Sequence, residues 1–246
     1  MPTKPTPTAP SAPLILAFGA HPDDIEFGCG GVIARETHAG HKAHFVVCSR
    51  GEAGTHGTPA QRTAEAKKSA RLLGATLEFV ELGGDSHMEV KLAHTILFAG
   101  IIRRVRPRLV LAPTIVENQH PDHVAVGRMV RDAARLARYG GVAELIKLPR
   151  HSIEQLLYYA VTVEAEPADR SAMLMDVSHE EVVAAWTASM EAHETQSKTR
   201  RYVGLHLARA KMHGVRAGVG HAIQLFPNDP LVCDSLATLG RGARQF

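Results

Sequence analysis

The stretch LILAFGAHPDDIEFGCGG, residues 14–31, decides how the chain is expected to fold. Its first five residues, Leu14–Phe18, are a short apolar run of the kind that forms a strand buried on both faces. Polar residues follow at once, and a helix is predicted over residues 30–38, ending before Gly40. A buried strand that leads through a short polar loop into a helix is the building unit of a parallel sheet covered by helices.

The same alternation of apolar runs and helical stretches continues along the chain. Further strands are predicted over residues 43–48, 77–81, 108–112, 156–163 and 174–177, and further helices over residues 59–73, 90–105, 123–139 and 198–213. Ser178 and Glu181 have the spacing of a capping box, so another helix is expected to begin directly after Ser178. These patterns predict an α/β protein with a Rossmann-like three-layer fold, in which a mostly parallel sheet carries helices on both faces.

The composition is that of a globular protein. The chain has 246 residues, of which 45% are hydrophobic and 22% are charged, close to the globular average. Residues 1–13 include five prolines and are predicted to be a disordered tail, whereas residues 14–246 are predicted to form a single domain. No apolar run approaches the roughly 18–20 residues of a membrane span, so we expect a cytoplasmic protein that does not enter a membrane.

Charge and cysteine content exclude further classes. The formal net charge is +3 and there is no long basic run, so no nucleic-acid partner is expected. The three cysteines are odd in number and widely spaced, which is typical of reduced thiols rather than of a disulfide framework. None of them forms a Cys-x-x-Cys pair, so the sequence excludes a zinc knuckle built on thiolates.

Two clusters of His and Asp follow the first and the fourth predicted strands: His21, Asp23 and Asp24, and then His120, Asp122 and His123. Because the carboxyl ends of parallel strands meet at one edge of a sheet, we expect the two clusters to lie together. Imidazole and carboxylate are the ligands that zinc accepts when thiolates are absent, and a catalytic zinc takes three protein ligands. Either cluster alone could be ordinary turn and cap chemistry. Together they predict a metal site, with spare groups left to act as a base, an electrophile or orienting residues.

The glycine-rich segments do not match known phosphate-binding motifs. Gly28, Gly30 and Gly31 lack the G-x-G-x-x-G spacing, and there is no G-x-x-x-x-G-K-[ST]. The nucleophile motif G-x-S-x-G and the metalloprotease motif H-E-x-x-H are also absent. We therefore expect these glycines to allow close packing of a helix on the sheet.

With both clusters described, the chain resembles the LmbE-like (PIG-L) de-N-acetylases, zinc enzymes that remove acetyl groups from N-acetylglucosaminyl conjugates. The resemblance is good over about residues 14–135 and looser to about residue 226. It rests on these segments: Ala20–Asp24 with Glu26 and Gly30-Gly31, Ser49–Glu52, Gly57–Arg62, Glu65-Ala66, Leu73–Ala75, His120–His123 and Glu194–Gln196.

The resemblance implies a role for each matching residue. His21, Asp24 and His123 look like the ligands of Zn²⁺ or of another divalent metal. Asp23 looks like the general base that activates water, and His120 looks like the group that stabilises the oxyanion. The resemblance also implies a small N-acetylated amino sugar conjugate as substrate and a homo-oligomer as the assembled form.

Four further residues are weaker candidates. Arg62 looks like a substrate-binding residue, although a surface ion pair with Glu65 or Glu52 explains it equally well. Asp85 follows the third predicted strand and is expected to reach the substrate from the same edge. Glu26 and Asp122 are candidates for supporting residues behind the ligands, and a charge at a helix N-terminus is the alternative for both. The other twelve histidines carry no predicted role.

The substrate is the least determined part of this hypothesis. The chain looks most like the bacterial branch of low-molecular-weight thiol biosynthesis, which acts on an N-acetylglucosaminyl malate type of substrate. A deacetylase of a chitooligosaccharide or of a secondary-metabolite glycoside is the alternative within that class, and a non-catalytic metal- or nucleotide-binding module is the alternative from another class. Many bacterial members carry a Tyr-Ala-Glu-x-Phe segment where this chain has His221–Phe226 without the Glu, and an aromatic residue where it has Glu117–Gln119.

Overall fold

The computed structural model describes residues 14–198, 201–233, 235–238, 240, 242 and 243. The predicted tail over residues 1–13 lies outside them. The strands are β1 Leu14–Gly19, β2 Lys42–Val47, β3 Ala75–Phe79, β4 Leu109–Pro113, β5 Gln155–Tyr159, β6 Met173–Asp176 and β7 Ala222–Pro227. The helices are α1 Asp24–His38, α2 Pro59–Leu72, α3 Leu92–Val105, α4 Pro121–Arg138, α5 Glu180–Glu191, α6 Glu194–Ser197 and α7 Tyr202–Ala217. Within the described residues, no helix combines the length and hydropathy that a membrane span requires.

The strands form one mixed sheet in the order β3-β2-β1-β4-β5-β7-β6. The five strands from β3 to β5 are parallel, whereas β7 runs antiparallel to both of its neighbours. The predicted α/β fold with a mostly parallel sheet is therefore confirmed. The chain moves outward from β1 through β2 to β3 and then returns to the other side of β1 with β4. This reversal makes the carboxyl ends of β1 and β4 the place where ligands bind in open α/β sheets.

A separate apolar core fills each face of the sheet. On one face α1, α2, α5 and α7 cover a cluster that includes Phe45, Tyr159 and Trp186. On the other face α3 and α4 cover a cluster that includes Phe18 and Phe98. All residues of β1 after Leu14 are buried, as expected for a strand with helices on both sides.

Close packing of α1 depends on its glycines, as predicted. A Cβ atom at Gly28 would lie 2.2 Å from the ring of Tyr159 on β5, and one at Gly30 would lie 2.7 Å from Trp186 on α5. α1 begins at Asp24 instead of residue 30 and includes these two glycines and Gly31. Glycine lowers helix propensity, but here the burial of the helix against the sheet outweighs that local cost.

The C-terminal third differs most from the expectations. The predicted capping box at Ser178 is wrong: His179 precedes α5, and the Ser178 hydroxyl donates to Asp176 Oδ1 at 2.5 Å and accepts from the His221 N–H at 2.9 Å. The Ser178 side chain thus ties the end of β6 to the start of β7. The last helix begins at Tyr202 instead of residue 198, and β7 was not predicted as a strand.

Candidate active site

The loop after β1 fixes the first cluster in place. Asp24 Oδ2 accepts hydrogen bonds from the backbone N–H groups of Ala20 and His21, at 2.8 and 2.9 Å. Asp23, the residue before α1, has a φ of 114°, a region of backbone conformation in which Asp and Asn are the commonest residues after glycine. This turn directs the neighbouring Asp23 and Asp24 carboxylates to different surroundings.

The start of α4 carries the second cluster. Pro121 occupies the first turn of α4, and His120 precedes it with its Nδ1 accepting from the Asp122 N–H at 3.3 Å. His123 therefore lies in the first helical turn, as predicted. Gly127 lets this turn approach the sheet, because a Cβ there would lie 2.4 Å from the Pro113 carbonyl oxygen.

Three buried side chains from the two clusters converge on one point. His123 Nε2 lies 3.0 Å from Asp24 Oδ1 and 3.3 Å from His21 Nδ1, and His21 Nδ1 lies 3.6 Å from Asp24 Oδ2. Two imidazole nitrogens facing each other beside a carboxylate are a donor set that suits a divalent cation. The three residues that the resemblance names as ligands are thus brought together, and they fit a metal ion.

The charges around this point also favour a cation. Burial raises the pKa of the Asp24 carboxyl, but His123 and His21 outweigh burial and hold that pKa well below its usual range. Burial lowers the pKa of His21, but Asp24, Asp122 and Asp85 outweigh it and raise that pKa well above 6.5. The carboxylates that stabilise a proton on His21 would also stabilise a metal ion that replaces this proton.

Two carboxylates hold the far side of His21. His21 Nε2 lies 3.2 Å from Asp122 Oδ2 and 3.2 Å from Asp85 Oδ1. Asp122 is itself held by the Ser86 N–H at 2.6 Å, and Asp85 Oδ2 accepts from the Ala53 N–H at 3.2 Å. A carboxylate on the second nitrogen of a metal-binding histidine fixes its tautomer and its orientation. The geometry therefore favours an orienting role for Asp122 over that of a helix-start charge alone.

Replacing Asp122 is expected to weaken metal binding. Asp122→Asn removes one carboxylate from His21 Nε2, so the affinity for Zn²⁺ should fall about 10–100-fold. Competition against a chromogenic chelator measures this affinity. The matched control is Asp132→Asn on the same helix, where the Asp132 side chain is 42% exposed and the affinity should not change. Equal affinity in both variants would show that Asp122 does not support the site.

Asp23 lies beside the ligands and is paired with Arg62. Arg62 donates to the Pro22 carbonyl at 3.0 Å and to the Gly51 carbonyl at 3.1 Å, and it lies 3.4 Å from Asp23 Oδ2. Burial, with the nearby charge of Asp24, raises the pKa of Asp23 to about 6 although Arg62 opposes the shift. Asp23 is thus a partly desolvated carboxylate beside the candidate metal site.

Arg62 is an internal residue, not a member of a surface ion pair with Glu65 or Glu52. Only 5% of Arg62 is exposed. The loop before α2 passes directly over its guanidinium, since a Cβ at Gly51 or Gly54 would lie 2.0 or 2.6 Å from the Arg62 Nη1 atom. Arg62 and Asp85 both line the cavity in front of the ligands, where the sequence places them as substrate-binding candidates.

Glu26 lies behind the site and has a partner that sequence reasoning missed. Glu26 Oε1 is 3.3 Å from His193 Nε2, and both residues are buried. The Trp186 indole donates to the Glu26 carbonyl at 2.8 Å. His193 comes directly before the Glu194–Gln196 segment, so that segment was the available signal. Glu26 therefore connects the first turn of α1 to the C-terminal third.

The three candidate ligands line a cavity of about 310 Å³. His120 lies in its wall, with its ring edge-on to His21 at a centroid distance of 4.7 Å. Burial, together with His21 and His123, lowers the pKa of His120. The cavity is also lined by Phe27, Tyr202 and His206, to which the sequence analysis gave no role.

Comparison with known proteins identifies the family. A model described as PIG-L, GlcNAc-PI de-N-acetylase, matches residues 16–134. A 4-oxalmesaconate hydratase from Pseudomonas putida is 30% identical over 138 residues, covering 51% of this chain and 53% of that protein. A diacetylchitobiose deacetylase from Thermococcus kodakarensis is 28% identical over 157 residues, 59% of each chain. The chain thus spans little more than half the length of these two relatives.

Two further matches cover more of the related protein. The uncharacterized deacetylase YaiS from Escherichia coli is 30% identical over 147 residues, covering 59% of this chain and 72% of YaiS. The solved structure of the conserved protein TT1542 from Thermus thermophilus has a TM-score of 0.77 and 27% identity, covering 91% of this chain and 97% of that one. Since the family model takes in both His/Asp clusters, and since YaiS is similar over most of its length, the chain belongs to the PIG-L family.

Proposed function

We propose that this protein is a metal-dependent amidohydrolase that removes the acetyl group from the nitrogen of an N-acetylglucosaminyl conjugate. The observation that carries the proposal is the convergence of His21, Asp24 and His123, with 3.0–3.6 Å between their ligand atoms, beside the half-buried Asp23 carboxylate. The family and the relative named as a diacetylchitobiose deacetylase support the same chemistry. Zn²⁺ is the proposed ion because it takes two imidazoles and a carboxylate in hydrolases.

Each side chain around the ligands has a separate proposed role in amide hydrolysis. A metal bound here would lower the pKa of a water molecule and polarise the acetyl carbonyl. Asp23 would accept the proton of the attacking water and hold it for the leaving amine. Because His120 Nδ1 accepts a backbone hydrogen bond, its Nε2 carries the proton in the neutral ring and would donate to the carbonyl oxygen as negative charge develops there. Arg62 and Asp85 would contact hydroxyl groups of the sugar.

Removal of the metal tests this proposal directly. We expect the protein with Zn²⁺ to release acetate from N-acetylglucosamine glycosides, to lose nearly all turnover after chelation, and to recover it when Zn²⁺ is added back. The substrate panel should include N-acetylglucosaminyl malate, diacetylchitobiose and an N-acetylated glycopeptide glycoside. Turnover that persists in the chelated protein would contradict the proposal. No turnover on the whole panel, together with a rise in Tm on adding nucleotide, would favour the non-catalytic module.

Addition of water to a carbon–carbon double bond is a second candidate. The hydratase from Pseudomonas putida is 30% identical over 138 residues, and a base beside a metal site can activate water for either reaction. An unsaturated dicarboxylate should therefore be assayed beside the sugars by loss of its ultraviolet absorbance. Hydration without acetate release would replace the deacetylase proposal. The homo-oligomer and the single domain over residues 14–246 stay predictions.

A further inference from the structure

One wall of the cavity is built from three rings that come from opposite ends of the chain. Phe27 lies on α1, one turn after the ligand Asp24, whereas Tyr202 and His206 lie four residues apart on the same face of α7. The His206 ring stacks on Phe27 at a centroid distance of 5.1 Å and an angle of 28°, and the Tyr202 ring lies 5.6 Å from Phe27. We call these three residues the aromatic wall.

Two of the three rings in the aromatic wall are buried, and its imidazole is neutral. Phe27 is 5% exposed and His206 is 7% exposed, so their contacts with each other fix their positions. Burial, together with the positive charge of Arg209, lowers the pKa of His206 to about 3, and its imidazole is therefore neutral at neutral pH. The carboxylates of Asp23 and Asp85 line the same cavity. Its lining thus combines aromatic rings with charged groups.

We infer that the aromatic wall binds the apolar face of a neutral pyranose ring and so determines which N-acetylated compounds this enzyme accepts. This inference rests on the proposed deacetylase function and adds a specificity surface to it. A pyranose has C–H groups on its faces and hydroxyl groups around its edge, so it matches a cavity lined by both aromatic rings and carboxylates. Aromatic side chains provide such surfaces at little entropic cost because they have few rotatable bonds.

The size of the wall favours the sugar ring over the acyl group. The acetyl methyl is a single small group, whereas the wall has three rings, with centroids 5.1 and 5.6 Å from that of Phe27, and so offers contacts to a larger group. The wall also begins at Phe27, one helical turn from the candidate ligand Asp24. The sugar ring that carries the reacting nitrogen must lie close to the metal ligands, and therefore close to this wall. A long acyl chain is the competing occupant, and the experiment below separates the two.

The test compares substrates with and without a ring in wall variants. Tyr202→Ala and His206→Ala should each raise KM for an N-acetylglucosamine glycoside about 10-fold and leave KM for the ring-free N-acetylethanolamine unchanged. His206→Phe keeps a neutral ring and should retain most of the affinity. Leu205→Ala, on the same helix but 49% exposed, is the matched control and should behave like the original protein. Metal content should stay the same in all four variants.

Binding of N-acetylglucosamine to the metal-free protein can be followed by ligand-observed NMR. This measurement tests sugar binding by the aromatic wall independently of the proposed deacetylase activity. Binding that weakens in Tyr202→Ala and His206→Ala supports the wall even when the protein hydrolyses no acetamide, in which case only the proposed function fails. Equal increases in KM for the ring and the ring-free substrate would overturn the wall as a specificity surface. Faster turnover of N-butanoyl sugars in the alanine variants would overturn it too, because the wall would then limit the acyl chain.

Discussion

Asp23→Asn is expected to lower kcat about 10²–10⁴-fold while the protein keeps its metal. The Asp23 carboxylate lies beside the ligands without being one of the three converging groups, so its loss should remove the proton acceptor and leave the metal site intact. Asn is the suitable replacement because it tolerates the φ of 114° at this position. Arg62 keeps its bonds to the Pro22 and Gly51 carbonyls, so folding should not change.

The measurement pairs steady-state kinetics with metal analysis of the same sample. One metal ion per chain, an unchanged Tm and a greatly reduced kcat would identify Asp23 as the base. Full activity in Asp23→Asn would remove Asp23 from the mechanism and leave His120 as the remaining candidate. Loss of the metal would instead show that Asp23 helps to hold it.

His123→Ala is expected to abolish metal binding and activity together. His123 Nε2 lies within 3.3 Å of both other candidate ligands, and two remaining ligands do not make the three-ligand site of a catalytic zinc. The loss of affinity should therefore exceed the roughly 10–100-fold expected for a supporting residue such as Asp122. Equilibrium dialysis followed by elemental analysis measures it.

A control variant and a stability measurement show whether the effect of His123→Ala is due to the loss of a metal ligand. His38→Ala removes a histidine whose side chain is 53% exposed, and it should leave metal content and kcat unchanged. Thermal unfolding of both variants without metal shows whether the cavity left at position 123 destabilises the fold. One zinc ion per chain in His123→Ala would mean that the ligand assignment is wrong.

The N-terminal half was predictable because its chemistry follows directly from its strands. The apolar run at Leu14–Phe18 and the one at residues 108–112 each lead into a His/Asp cluster, and parallel strands bring such loops to one edge. The start of α1 was less predictable. Three glycines argue locally against a helix at Asp24, whereas the close approach of α1 to Tyr159 and Trp186 requires them there.

The partners of the site residues required the folded chain. Nothing in the local pattern distinguishes Arg62 as a surface ion pair from Arg62 as the buried partner of Asp23. The same holds for Asp85, which the sequence places at the active edge and the structure places 3.2 Å from His21 Nε2. In both cases the loop conformation between strand and helix decides the contact, and loops carry no hydrophobic period from which it could be read.

The sequence by itself determined the fold class and the two clusters that meet at the edge of the sheet, because the period of apolar residues and the spacing of His and Asp are local properties. Only the tertiary structure decided what lies opposite those clusters. His193 reaches Glu26, and Tyr202 and His206 reach Phe27, across more than 160 residues of chain. Those contacts arise from the packing of α5 and α7 against α1, and such packing depends on the whole core rather than on any short stretch of residues.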